Sequence, residues 1–211
     1  MWTLEQLEPE IDDIRARVLQ HRRGLKEYFV ARDEEIDLAI LCAVAQEPLL
    51  LVGPPGTAKS DLVVKLTESL GLGQGDYFEY MLTKFTEPSE ILGPIDIQVL
   101  KEGRYLRRTR GMLPDCRVAF LDEIFKSNSA ILNTLLTILN ERKFYQDGQP
   151  TPVRLIMLFA ATNDIPDQTE LEAMADRFIL KIETKPVKDR HFSELIDAGV
   201  MNEAYRASGQ K

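Results

Sequence analysis

The residues best placed to do chemistry stand together at Gly53-Pro54-Pro55-Gly56-Thr57-Ala58-Lys59-Ser60, followed by Asp61. They fit the phosphate-loop pattern G-x-x-x-x-G-K-[ST] at every fixed position but one, where Ala58 replaces the last glycine. An alanine is tolerable there if its φ is negative. In such a loop the backbone N–H groups and the following helix N-terminus surround a β-phosphate. Lys59 would neutralise β/γ charge and the Ser60 hydroxyl would ligate Mg²⁺. Farther along, Val118-Ala119-Phe120-Leu121 delivers Asp122-Glu123. That order suits a metal-holding carboxylate, Asp122, beside a second one, Glu123, that orients and polarises an attacking water. A third apolar run, 155–161, ends in Thr162-Asn163, where a neutral amide can hydrogen-bond water or a γ-phosphate without adding charge. No Asn-Lys-x-Asp element follows a strand, which favours ATP over GTP.

These groups need elements to carry them. Leu49-Leu50-Leu51-Val52 is short and wholly apolar, as in a strand buried on both faces. From Lys59, the spacing of Leu62, Val63, Leu66 and Leu70 predicts a helix ending at Gly71. Strands are predicted over 77–82, 118–121 and 155–161 and around Phe178, Leu180 and Ile182. Ser127 or Ser129 is expected to cap a helix that turns Ile131, Leu132, Leu135, Leu136 and Leu139 inward. Ahead of all these, Leu4, Leu7, Ile11, Ile14 and Val18 mark one helical face, with Pro9 near its start. After Gly24, Asp33 caps a second helix whose Ile36, Ile40, Ala43 and Val44 share a face. Strands alternating with helices imply a mostly parallel sheet covered on both faces. Pro186 is the expected boundary, with one further helix over 191–198.

The chain has 211 residues, 44% hydrophobic and 28% charged, which suits one sizeable globular domain. Its net charge of −8 opposes general attraction to nucleic acid or anionic membranes. Its longest apolar run, 38–45, has eight residues, against about 20 for a bilayer crossing, so no membrane insertion is expected. With Glu5, Glu8, Glu10 and Asp12 at the start, no secretory or transit signal is expected either, and the cytoplasm is the expected compartment. Cys42 and Cys116 form no C-x-x-C pair, and His21 and His191 have no neighbouring ligand pattern, which argues against a disulfide framework or a zinc site.

Several further stretches recur in one family. The chain carries Phe120-Leu121-Asp122-Glu123-Ile124, Ala130-Ile131-Leu132-Asn133-Thr134-Leu135-Leu136, Asn140-Glu141-Arg142, Leu92-Gly93-Pro94-Ile95 and Leu171-Glu172-Ala173-Met174-Ala175-Asp176-Arg177-Phe178. In these it resembles AAA+ ATPases of the MoxR family, most closely the RavA-like branch, over about residues 24–186. The resemblance implies a three-layer αβα P-loop NTPase fold with a parallel five-stranded sheet in the order 5-1-4-3-2. It implies a helix-2 insert at about 90–110 and a pre-sensor-1 hairpin over 143–154 that turns at Asp147-Gly148. Asn163 would be sensor 1, and Arg177 the arginine finger that reaches a neighbouring subunit; on its own, Arg177 reads as a solvated residue paired with Asp176. Tyr28, Phe29 and Val30 align with the segment lining the adenine pocket. The nucleotide would lie between subunits of a ring, expected to be a hexamer. The domain division expected is 1–186 for the nucleotide-binding core with its N-terminal helices, and 187–211 for a linker or the start of a helical lid otherwise absent or truncated.

The reading is therefore an ATP- and Mg²⁺-dependent hydrolase that remodels or matures client proteins or a co-expressed partner. Lys101, Arg104, Arg107, Arg108 and Arg110 in the insert read as a solvated face or subunit contact ahead of a nucleic-acid patch. A nucleic-acid motor of the same clade and an ATP-dependent assembly switch with little turnover are the competing readings. A small-molecule kinase fits less well, because the Asp-Glu pair and polar strand end suit water better than a phosphate acceptor.

Overall fold

The computed structural model describes residues 4–73, 75–165, 169–187 and 191–207. Residues 42–185 form one compact unit, and 1–41 with 186–211 group as a second.

The larger unit is built on five parallel strands: β1 (Leu49–Val52), β2 (Tyr77–Met81), β3 (Val118–Asp122), β6 (Met157–Thr162) and β7 (Leu180–Glu183). Their spatial order is β2-β3-β6-β1-β7. Counted along the chain within this sheet, that is 5-1-4-3-2, as the resemblance implies. The central strands are buried on both faces: Leu49, Leu50 and Leu51 are fully inaccessible, as are all six residues of β6 or nearly so. Each such leucine contributes about 1.5–3 kcal/mol through burial, which explains why these runs lack polar alternation. Helices α3 (Lys59–Ser69) and α6 (Ser129–Glu141) belong to the layers that flank the sheet. From α6, Ile131, Leu132, Leu135 and Ile138 enter the core. Its cap is Asn128, between the two serines expected; Asn128 Oδ1 accepts from Ile131 N at 3.1 Å, while Nδ2 donates to the Thr86 carbonyl at 2.7 Å. An asparagine there satisfies a helix-end N–H and ties it to the loop after β2, which neither serine does.

The insert contains two short helices, α4 (Pro88–Leu92) and α5 (Ile97–Lys101), and returns through a bridge pairing Ile95 with Arg107. Gly93 sits at φ +97°, and a Cβ there would come within 2.0 Å of the Arg108 carbonyl oxygen. Strands β4 (Lys143–Gln146) and β5 (Gln149–Pro152) form the hairpin, with Asp147 and Gly148 at φ 50° and 71° in its turn. The turn also holds the insert: Asp147 Oδ1 accepts from Tyr105 N at 3.1 Å and Gln146 Oε1 from Arg107 N at 2.7 Å. The basic run is therefore less free than its composition suggests. Arg104 pairs with Glu102 and Arg108 with Asp96, while Arg107 donates to the Gly93 carbonyl.

In the smaller unit α1 spans Leu4–Tyr28, beginning ahead of Pro9 and running through Gly24 without a break. Ile11 and Ile14, expected to face inward, are about half exposed; the side chains of Leu4 and Leu7 lie outside the described residues. Helix α2 (Asp33–Ala45) buries Ile36, Ala39 and Ile40, but Val44 is 66% exposed, so the shared face is narrower than its spacing predicted. Arg22 and Lys26 on α1 both bond Asp37, at 2.5 and 2.8 Å, and hold its carboxyl well below the ordinary range, at about 2. Helix α8 (Phe192–Ala207) extends nine residues beyond the helix expected at 191–198. Residues 188–190 and 208–211 of the expected linker lie outside the described residues. No described helix is long and apolar enough to cross a membrane.

Candidate functional site

Parallel pairing puts the C-terminal ends of β1, β3 and β6 on one edge: Val52 is in register with Thr162, and Leu121 with Ala160. This is where open α/β sheets bind ligands. Three chemistry-bearing segments begin there, the phosphate loop after β1, Asp122-Glu123 at the end of β3 and Asn163 after β6.

The loop is fastened from two sides. Gly53 N donates to the Thr162 carbonyl at 3.0 Å, and Thr184 N donates to the Val52 carbonyl at 2.7 Å. The hydroxyls of Thr57 and Thr184 lie 3.0 Å apart, both buried. Gly53 has no room for a side chain, since a Cβ would lie 2.2 Å from the Thr184 carbonyl oxygen. Pro54, Pro55, Gly56 and Ala58 face solvent, whereas Lys59 is 8% exposed and its ammonium donates to the carbonyls of Gly53, at 2.5 Å, and Pro54, at 3.0 Å. Burial lowers the Lys59 pKa, while the Asp122 and Glu123 carboxylates oppose that shift, so the lysine and both acids share one field. Ser60 and Asp61 open α3, Ser60 half-buried and Asp61 exposed. Ala58 is a correction to the expectation: its φ is +60°, because the loop curls left-handed immediately before α3. The alanine carries the strain that glycine would avoid.

At the neighbouring strand end, Glu123 also has positive φ, 55°, and its N–H donates to Asp122 Oδ1 at 2.9 Å. Its side chain is 13% exposed. Oε1 accepts from Asn163 Nδ2 at 2.9 Å and from Lys126 Nζ at 2.8 Å. The structure thus joins Glu123 to Asn163 directly and adds Lys126, which the sequence reading missed; its spacing three residues after Glu123 was the available signal. Thr184 was missed as well, and no linear motif marks it.

Arg177 lies between α7 (Thr169–Ala175) and β7, and both it and Asp176 are exposed. Tyr28, Phe29 and Val30 stand at the end of α1 in the smaller unit, the first two with ring centroids 4.9 Å apart.

A family model for the bpMoxR group, the MoxR domain of MoxR–vWA–β-propeller ternary systems, matches residues 16–211. The chain belongs to this MoxR family. Two uncharacterised proteins of Methanocaldococcus jannaschii are each 41% identical to this MoxR domain, over 178 and 172 residues, covering 83% and 81% of it and 47% and 44% of themselves. A structural protein of Acidianus two-tailed virus is 34% identical over 176 residues, covering 82% of the chain and 28% of the viral protein. The domain spans about half the length of the archaeal relatives it matches, and less of the viral one. The crystal structure of a candidate ATPase from Cytophaga hutchinsonii superposes with a TM-score of 0.63 over 89% of this chain and 58% of that one, at 18% identity, which shows a shared fold. The protein is a MoxR-type AAA+ ATPase domain with the αβα P-loop architecture.

Its donors also fit the metal such a domain implies. Among the described residues no three His, Cys, Asp or Glu side chains gather to hold an ion. Mg²⁺ does not need such a cage, since it takes one or two protein oxygens with phosphates and water. The hard oxygens of Ser60 and Asp122 match that requirement, and the ion would neutralise phosphate charge.

Proposed function

We propose that this MoxR domain binds ATP with Mg²⁺ and hydrolyses it to ADP and phosphate. The observation that supports the reading best is the hydrogen bond from Asn163 to Glu123 on the strand edge that also bears the phosphate loop. A carboxylate steered by a neutral amide, one residue beyond a metal-type aspartate, is suited to orienting water. In this reading the backbone of Gly53–Asp61 cradles the phosphates, Lys59 offsets their charge, Ser60 and Asp122 hold the metal, and Glu123 takes the water's proton.

The wider role proposed is a chaperone-like one in the cytoplasm, in which a homo-oligomeric ring, expected to be a hexamer, remodels or matures client proteins. Residues 1–186 supply the nucleotide-binding core with its N-terminal helices, and 187–211 serve as a linker or the start of a helical lid. The exposed Arg177 completes a neighbour's site. The family description supports vWA and β-propeller components as partners; the RavA-like placement rests on the shared motifs alone.

The test is Mg²⁺-dependent phosphate release from ATP across a range of protein concentrations, with Glu123→Gln as control. Specific activity that rises with concentration and is absent in the control supports a site shared between subunits. Tight ATP binding without release at any concentration replaces hydrolysis with an assembly switch.

A further inference from the structure

The geometry points to Lys126 as a positioning residue of this site: with Asn163 it clamps Oε1 of Glu123, so that Oε2 is the oxygen that takes the proton of the attacking water. The inference rests on the ATPase reading above and specifies which atom acts and what holds it.

Both donors converge on one oxygen. Lys126 Nζ reaches Oε1 at 2.8 Å and Asn163 Nδ2 reaches the same atom at 2.9 Å. They come from different elements, a 3-10 turn (Ile124–Lys126) after β3 and the end of β6. The terminal torsion of a glutamate is broad and roughly two-fold, so a single neutral donor leaves the two oxygens free to exchange. An ammonium and an amide on one oxygen fix which is which and leave the other with its lone pairs presented.

The backbone is arranged for the same end. Glu123 N is bonded to Asp122 Oδ1, and Lys126 N donates to the Glu123 carbonyl at 2.9 Å, closing the turn that brings Nζ back over the carboxylate. Ile124 and Phe125 anchor that turn in the core at 0% and 9% exposure, while the Lys126 side chain is 62% exposed. Removing the ammonium therefore disturbs little packing. The cation has a second use, since Asp122, Glu123 and a γ-phosphate would otherwise bring like charges together, and its partial offset lets Glu123 stay close.

In the step itself, an O–H bond of water breaks and its proton passes to Oε2. The water oxygen bonds to the γ-phosphorus, and the bond from that phosphorus to the β–γ bridging oxygen breaks, its electron pair leaving on ADP. Lys126 touches none of the reacting atoms.

The test compares the full chain with Lys126→Ala and Lys126→Arg, measuring kcat and KM for ATP and, separately, equilibrium binding of a fluorescent ATP analogue. Lys126→Ala should lower kcat by roughly tenfold, as expected for a misplaced reacting group, with analogue affinity within about twofold. Lys126→Arg should restore most of the rate, because a guanidinium can reach the same oxygen. An unchanged or raised kcat in Lys126→Ala overturns the proposal, as does a loss of binding that matches the loss of rate, or a failure of arginine to restore activity. A wild type that binds the analogue but releases no phosphate removes the ATPase reading and this inference with it; an active wild type beside an equally active Lys126→Ala removes this inference alone.

Discussion

Ala58 occupies a torsion that most side chains avoid. Left-handed backbone costs an L-residue roughly 1–2 kcal/mol, part of which glycine returns through its looser unfolded state. Ala58→Gly should therefore stabilise the domain by roughly 0.5–1 kcal/mol, seen as a higher urea midpoint at unchanged slope; a loss of stability would show the position to be unstrained. Arg177 makes a different prediction. Removing a transferred arginine finger costs roughly 10³–10⁵ in rate in well-studied GTPases. Arg177→Ala should leave ATP binding nearly intact while suppressing assembly-dependent hydrolysis, and an unchanged rate in a verified ring would reject the role. Residue types at fixed spacing singled out Lys59, Asp122, Glu123 and Asn163 before any coordinates, and the structure brings the segments that carry them to one edge of the sheet. Ala58 was legible as a departure from the motif but not as a torsion, because residue type does not determine φ. The partnership of Thr184 with Thr57 joins residues far apart in the chain, and no local pattern encodes it.

The insert and the hairpin depend on turns that admit few residues. At Gly93 both the positive φ and the Arg108 carbonyl oppose a Cβ. Gly93→Ala should cost roughly 1–3 kcal/mol of strain, measured by thermal unfolding, whereas Gly103, with nothing within 4 Å of its ideal Cβ, should pay only for its torsion. Asp37 gives the smaller unit an acid dependence. Its folded pKa lies below the unfolded value, so the ion pairs with Arg22 and Lys26 contribute fully above about pH 4 and fade as pH falls toward 2. Its partial exposure limits the effect to at most about 1 kcal/mol, and Asp37→Asn should flatten that part of the pH–stability profile. Sheet order and strand positions were readable because fully buried parallel strands are continuous apolar runs. Helix faces were less so: periodicity puts Ile11 and Ile14 on one side of α1 and Val44 on one side of α2, but it cannot say whether anything covers those sides. The motif Asn140-Glu141-Arg142 acquires a structural meaning only in three dimensions, where the Arg142 guanidinium bonds the carbonyls of Gln46 and Leu155 at 2.6 and 3.2 Å and closes α6.

For the molecule as a whole, the two thiols offer a reporter of unfolding. Cys42 and Cys116 are free and buried, and burial raises their pKa values to about 11 and about 12. Neither should react with a thiol reagent at neutral pH in the native state, and both should react once urea unfolds the chain; rapid native labelling of Cys116 would contradict the packing around β3. The phosphate loop is held by a residue from the far end of the larger unit's chain. Thr184 is bonded to Val52 and Thr57 and lies against Gly53, two positions before the chain passes at Pro186 from the larger unit into the smaller. Thr184 thus fastens the start and the middle of the phosphate loop at once, so Thr184→Val should loosen Gly53 and Thr57 together, seen as faster hydrogen exchange of their amides with the rest of β7 unchanged.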